Sequence, residues 1–193
     1  MKKIFLFLSI QTLFLASIQS QITYDYFNDL FKHVCHYKTN GSEPKSSGTK
    51  IDIVTPCQFQ KSESKYPHTL QIFNLWNNSK MIFGIEVVIL KLDVVPSSEA
   101  LDFLMSNDVT PADGHRISLD KLSINGFPAK HCVFSKISSN GTSIFDTYAT
   151  YYRDKMICIS YIYYGSTNYN TTKLEYDYIK PLIYKLWKQT SFI

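Results

Sequence analysis

The sequence predicts an α+β domain: an antiparallel sheet of about six to seven strands with helices on both faces. Three observations lead there. Met81 to Leu92 reads as a strand with apolar residues on both of its sides, as expected of a strand covered on both faces. Residues 117–164 keep a period of two through turn signals at Asn125-Gly126, Ser138-Ser139-Asn140-Gly141 and Arg153-Asp154, the pattern of an antiparallel meander. Apolar residues at helical spacing recur near both ends of the chain and after Pro96.

In order along the chain, Tyr24 to Tyr37 is expected to be a helix. Thr23 caps it, and Phe27, Leu30, Phe31 and Val34 form one stripe. Residues 38–49 are polar and rich in Gly and Ser, and read as a loop. Ile51 to Phe59 alternates like a strand. Thr69–Trp76 and Lys80–Leu92 form a hairpin around Asn77-Asn78-Ser79. In its second strand Met81, Phe83, Ile85, Val87 and Ile89 point one way, and Ile82, Gly84, Glu86, Val88 and Leu90 the other.

A helix follows over residues 97–107. Ser97 or Ser98 caps it, Glu99 and Asp102 suit its positive end, and Leu101, Leu104 and Met105 face inward. The loop 107–115 leads into the meander strands 117–124, 129–137, 144–152 and 155–164. Asn125-Gly126 allows the positive dihedrals of a tight turn, and Pro128 sits at the strand entry, where a missing donor is tolerated. The last helix spans Thr171 to Lys188, with Leu174, Tyr178, Ile179, Leu182, Leu186 and Trp187 as its stripe. Pro181 either kinks it or divides it. "TSFI" closes the chain in an extended form.

Residues 1–20 have the layout of a signal peptide: Lys2 and Lys3, an apolar stretch from Ile4 to Ile18, then small and polar residues to Ser20. Cleavage after Ser20, with Ser17 as the competing site, leaves residues 21–193 as a single domain. The expected location is secreted or periplasmic. No later stretch is long and apolar enough to span a membrane. The formal charge is +4, and Lys2 and Lys3 account for two of it, so the remainder has no electrostatic case for nucleic acid. Cys35, Cys57, Cys132 and Cys158 are disulfide candidates, an even set without a CxxC pair. Cys35–Cys57 is favoured because the loop between them is short and polar. Asn40, Asn77, Asn140 and Asn170 begin N-x-S/T triplets at turns or caps. They are glycan acceptors in a eukaryote and ordinary turn residues in a bacterium.

No catalytic motif stands out. His33 and His36 lie one helical turn apart without a third ligand, so no metal or cofactor is expected. His131 and Cys132 are neighbours on a strand, so their side chains point to opposite faces and do not form a dyad. Glu86 breaks the second apolar face of its strand; the expectation is that this face is wet there, or that Glu86 is paired. With Arg153-Asp154 as a two-residue turn, Tyr148 lies opposite Ile159 and Asp146 opposite Tyr161. Tyr148, Tyr152, Tyr161 and Tyr163 then share one face with Asp146, and Thr147, Ala149, Cys158 and Ser160 share the other. Left uncovered, the tyrosine face would suit protein binding; the competing arrangement places the N-terminal helix over it.

"INGFPA" leading into a strand, then "IFDTYATYY", "KMICISYIYY", the terminal helix and the closing "TSFI" resemble the PsbP/Mog1-like α/β/α sandwich proteins over residues 117–193. The resemblance implies an antiparallel sheet with helices on both sides, binding or assembly roles, and no shared catalytic set. The expected function is therefore a secreted, non-enzymatic binding or assembly protein whose partner is another protein. Two alternatives are carried: a small secreted hydrolase using Glu86 with a histidine, which requires a cleft joining Glu86 to His68 or His115, and an immunity-type inhibitor protein.

Overall fold

A computed structural model describes residues 25–106, 110–124 and 126–192; the expected signal peptide, Thr23 and Asn125 lie outside the described residues. A helical turn, α1 (residues 25–30), precedes β1 (Val34–Lys38), β2 (Ile51–Pro56), β3 (Gln60–Ser62), β4 (Thr69–Asn77) and β5 (Lys80–Lys91). Then come α2 (Ser98–Ser106), β6 (His115–Ile124), β7 (Phe127–Ser138), β8 (Gly141–Tyr152), β9 (Lys155–Tyr164), α3 (Tyr169–Gln189) and β10 (Ser191–Phe192).

Seven strands form one antiparallel sheet in the order β3-β4-β5-β9-β8-β7-β6, and β1-β2-β10 form a small second sheet. The expected α+β class, strand count and helices on both faces are all present. The closing strand is present too: Ser191 and Phe192 pair with Asp52 and Ile51 of β2.

The first face of the large sheet is covered over β4, β5, β9 and most of β8. α3 lies over β8 and β9 through Tyr176, Ile179, Leu182, Ile183, Leu186 and Trp187, all buried. The small sheet and α1 cover β4 and β5, with Phe59 and Phe27 against Phe83 and Tyr37 against Phe73. The stripe of α3 is rotated from the expected one: Leu174 is exposed and Tyr178 half-buried, while Tyr176 and Ile183 take the inner positions. The helix runs unbroken through Pro181, which sits on its exposed side.

The N-terminal helix is shorter than its apolar spacing predicts. Residues 34–37, expected to continue it, belong with Lys38 to β1 and pair with β2 from Val34↔Pro56 to Lys38↔Asp52. Tertiary pairing outweighs local periodicity here, and the bridge Cys35–Cys57 ties the pair together. His36 consequently sits on a strand, with Nδ1 3.0 Å from Asp52 Oδ1, and not one turn above His33 on a helix.

Cys132 and Cys158 form no disulfide. Both lie on the second face, but β8 separates them: Cys132 is paired with Thr147, and Cys158 with Ala149. Two strand spacings put their backbones about 10 Å apart, beyond the roughly 7 Å that a disulfide spans. Unfolded without reductant, the protein should therefore titrate two thiols, those of Cys132 and Cys158. Four would contradict the Cys35–Cys57 bridge, and none would contradict the strand order.

Asn40, Asn77, Asn140 and Asn170 are all exposed. Gly126 closes the β6–β7 hairpin with φ +81°, between the paired residues Ile124 and Phe127. Gly126→Val should destabilise the protein by about 1–3 kcal/mol, because a β-branched residue is strained at positive φ. A melting temperature equal to the parent's would refute that turn.

Candidate functional site

The β8–β9 register matches the sequence expectation, with Tyr148 opposite Ile159 and Asp146 opposite Tyr161. The five residues do share a face. That face is not a surface, however: Tyr148, Tyr161, Tyr163 and Asp146 are buried, and Tyr152 is half-buried. The expectation of an exposed tyrosine patch is corrected, and the cover is mainly α3 rather than the N-terminal helix. The Tyr148 ring is stacked between Trp187 at 4.4 Å and His131 at 4.3 Å. From α1, Phe27 lies 6.0 Å from Tyr163.

Asp146, 0% exposed, is the polar centre of this layer. His131 Nε2 lies 2.6 Å from its Oδ1, and the Tyr176 hydroxyl donates to its Oδ2 at 2.7 Å. Sequence reading set His131 and Cys132 on opposite faces, and they are: His131 faces Asp146, whereas Cys132 faces Thr110. It missed the His131–Asp146 pair. The signal was there, since the turn at Ser139-Asn140 fixes His131 opposite Tyr148 and Val133 opposite Asp146. With its carboxylate sealed from solvent, this cluster fits a role in holding α3 to the sheet.

The second face is covered only in part. α2 sits over β7, where buried Lys130 donates to the Leu104 carbonyl at 2.8 Å and Met105 is buried. Among the described residues no helix lies over β4, β5 and β9 on this face. Val88 and Leu90 are half-buried, so the coverage expected on both sides of β5 holds for one side only. An open groove of about 270 Å³ runs there, with Ile72, Gly84, Glu86, Ile162 and Tyr164 among its lining. Trp76 and Tyr66 stand at its sides, 46% and 69% exposed. Gly84 supplies no side chain, and the Tyr164 ring lies beside it.

Glu86 is half-buried in the groove and accepts a hydrogen bond from Thr69 Oγ1 at 3.0 Å. Among the described residues it has no ion pair. This agrees with the reading in which the face is wet at Glu86. Burial, then the charge of Glu86, push the Tyr164 phenol up to about 12. Burial pushes the Cys158 thiol up to about 11; Lys130 opposes the shift and Glu86 adds to it. That thiol is protonated, and so a poor nucleophile, at neutral pH.

The Glu86–histidine constellation is not assembled. No histidine lines the groove. His115 lies on β6, four strands from β5 in the sheet order, about 19 Å by strand spacing. His68 is exposed, and it meets β5 through its backbone carbonyl, which accepts from Ile89 N. Among the described residues no group of three or more His, Cys, Asp or Glu is placed to hold a metal, and no helix is long and apolar enough to cross a membrane.

The fold was compared with solved structures. Cyanobacterial PsbP from Synechocystis sp. PCC 6803 superposes with a TM-score of 0.54 at 13% identity, over 83% of this chain and 93% of that one. LpqN of Mycobacterium tuberculosis gives 0.53 at 14%, over 87% and 95%. The Ran-binding protein Mog1p of Saccharomyces cerevisiae gives 0.51 at 12%, over 82% and 95%. The chain has the PsbP/Mog1-like fold. No protein-family description and no curated protein matches the sequence. At these identities the likeness is one of fold alone. In this PsbP/Mog1-like chain α3 covers β8 and β9 on the first face, and a groove beside Trp76 stays open on the second.

Proposed function

We propose that the protein is a secreted or periplasmic, non-enzymatic binding or assembly protein, a single domain over residues 21–193, that docks another protein on the open second face of β4, β5 and β9. The observation that carries this reading is the groove itself. Trp76 and Tyr66 stand exposed beside an apolar floor, with one half-buried carboxylate and no histidine. Large aromatic rings beside a concave floor are the residue types that dominate binding energy at protein interfaces. The exposed Phe103 on α2, and Val94 and Val95 ahead of it, extend the apolar character of that side. The Cys35–Cys57 bridge supports an oxidising compartment. Mog1p is described as Ran-binding and LpqN as involved in cell envelope biogenesis; the first supports the idea that this fold can present a surface to another protein. An immunity-type inhibitor is a special case of the same reading.

A photo-crosslinking residue placed at Trp76, with a second placed at the exposed Tyr184 on α3, tests the surface. In the source compartment, position 76 should yield one dominant protein adduct and position 184 none. Equal adducts at both positions, or adducts at 184 alone, would move the docking surface to the α3 side.

A further inference from the structure

A second concavity, which meets the docking groove at Tyr164, lies where α1, the β4–β5 turn, the end of β9 and the first turns of α3 meet. It encloses about 420 Å³. Tyr26, Phe27, Ile82 and Tyr163 supply an aromatic and apolar wall, and Glu175 of α3 reaches the same wall.

Glu175 is only 8% exposed. One of its oxygens accepts from the Tyr163 hydroxyl at 2.8 Å. Among the described residues no lysine, arginine or histidine pairs with it. Lys173, two residues away on α3, is committed to Asp177. A carboxylate so far removed from water is costly unless a cation or several donors meet it. Here one phenol does so, and the remaining room opens into a cleft lined by tyrosine and phenylalanine rings. Aromatic faces around a carboxylate are the surroundings that an organic ammonium ion prefers.

Two further features narrow the class. A single carboxylate is too few ligands for a divalent metal. Lys80 also lines the cleft, is exposed, and has no ion pair among the described residues. Its positive charge disfavours ligands carrying a second cation. We propose that this cleft is a binding site for a small, singly charged ammonium compound with an aromatic or branched apolar body, the ammonium group meeting Glu175.

Tyramine and 4-ethylphenol, which share a ring and differ in the ammonium group, are suitable probes. Titrated into the purified protein and followed by amide NMR shifts, tyramine should bind saturably, with shifts centred on Ile82, Tyr163 and Glu175. It should bind about tenfold more tightly than 4-ethylphenol, the effect of one charge-assisted hydrogen bond. Glu175→Gln should abolish that preference. Tyr26→Ala, at a half-exposed ring, should weaken tyramine binding while leaving the melting temperature unchanged, and it keeps the test open if Glu175→Gln fails to fold. Equal binding of the two probes, shifts mapping elsewhere, or no saturation up to about 10 mM tyramine would overturn the proposal. Tyr164 lines both sites, but Trp76 and Glu86 belong to the groove alone and Tyr26 and Glu175 to this cleft alone, so the two proposals are tested by different variants.

Discussion

Asp146→Ala is expected to destabilise the protein by about 3–5 kcal/mol, the cost of removing one partner from a buried charged network. The substitution leaves the His131 ring and the Tyr176 hydroxyl facing each other across a cavity, both buried and both without the carboxylate that satisfies them. Asp146→Asn keeps one acceptor oxygen and should cost less, about 1–3 kcal/mol. Urea titration measures both. A loss below about 1 kcal/mol for the alanine variant would show that α3 is held by its apolar stripe alone.

The buried tyrosines make a larger prediction at alkaline pH. Burial holds Tyr148, Tyr161, Tyr163 and Tyr176 well above the ordinary phenol range; neighbouring carboxylates add to the shift, Asp146 for Tyr148, Tyr161 and Tyr176, and Glu175 for Tyr163. A phenol whose folded pKa is raised contributes stability that is fully present below its unfolded value of about 10 and is lost as pH climbs above it, because the unfolded chain ionises first. Each further pH unit costs about 1.4 kcal/mol per ring. Four such rings outweigh a typical stability of about 5–15 kcal/mol within roughly two to three units. Tyrosinate absorbance should therefore rise in one cooperative step together with loss of near-UV circular dichroism. Independent titration of these rings near pH 10 in a still-folded protein would contradict their burial.

Turn residues made the large sheet readable. Arg153-Asp154 and Ser139-Asn140 fix the β8–β9 and β7–β8 registers, and the period-two pattern then assigns each side chain to a face. Which element covers which face was harder. The small residues Thr147 and Ala149 leave room for a helix, and α2 lies on that side, over β7. The tyrosine face took a helix as well. α3 offers Trp187 as a flat ring that stacks on Tyr148 and Tyr176 as a donor for Asp146. Strand alternation carries no information about such long-range complementarity.

Residues 34–37 departed from the expected helix for a related reason. Their apolar spacing continues that of Phe27 and Phe31, but pairing with β2 and the Cys35 bridge decide their conformation. The groove left one trace in the sequence, the interruption of an apolar face at Gly84 and Glu86. The role of Trp76 depended on the β4–β5 register, which is shifted between Leu75 and Trp76.

The central claim is that the protein docks its partner on the second face beside Trp76. The most direct measurement is the affinity of the crosslinked partner for Trp76→Ala, taken together with the melting temperature. Loss of an exposed aromatic anchor should weaken binding by about 2 kcal/mol, roughly 30-fold, while melting stays within a degree or two. Unchanged affinity at unchanged melting temperature would place the partner elsewhere on the molecule and contradict the account.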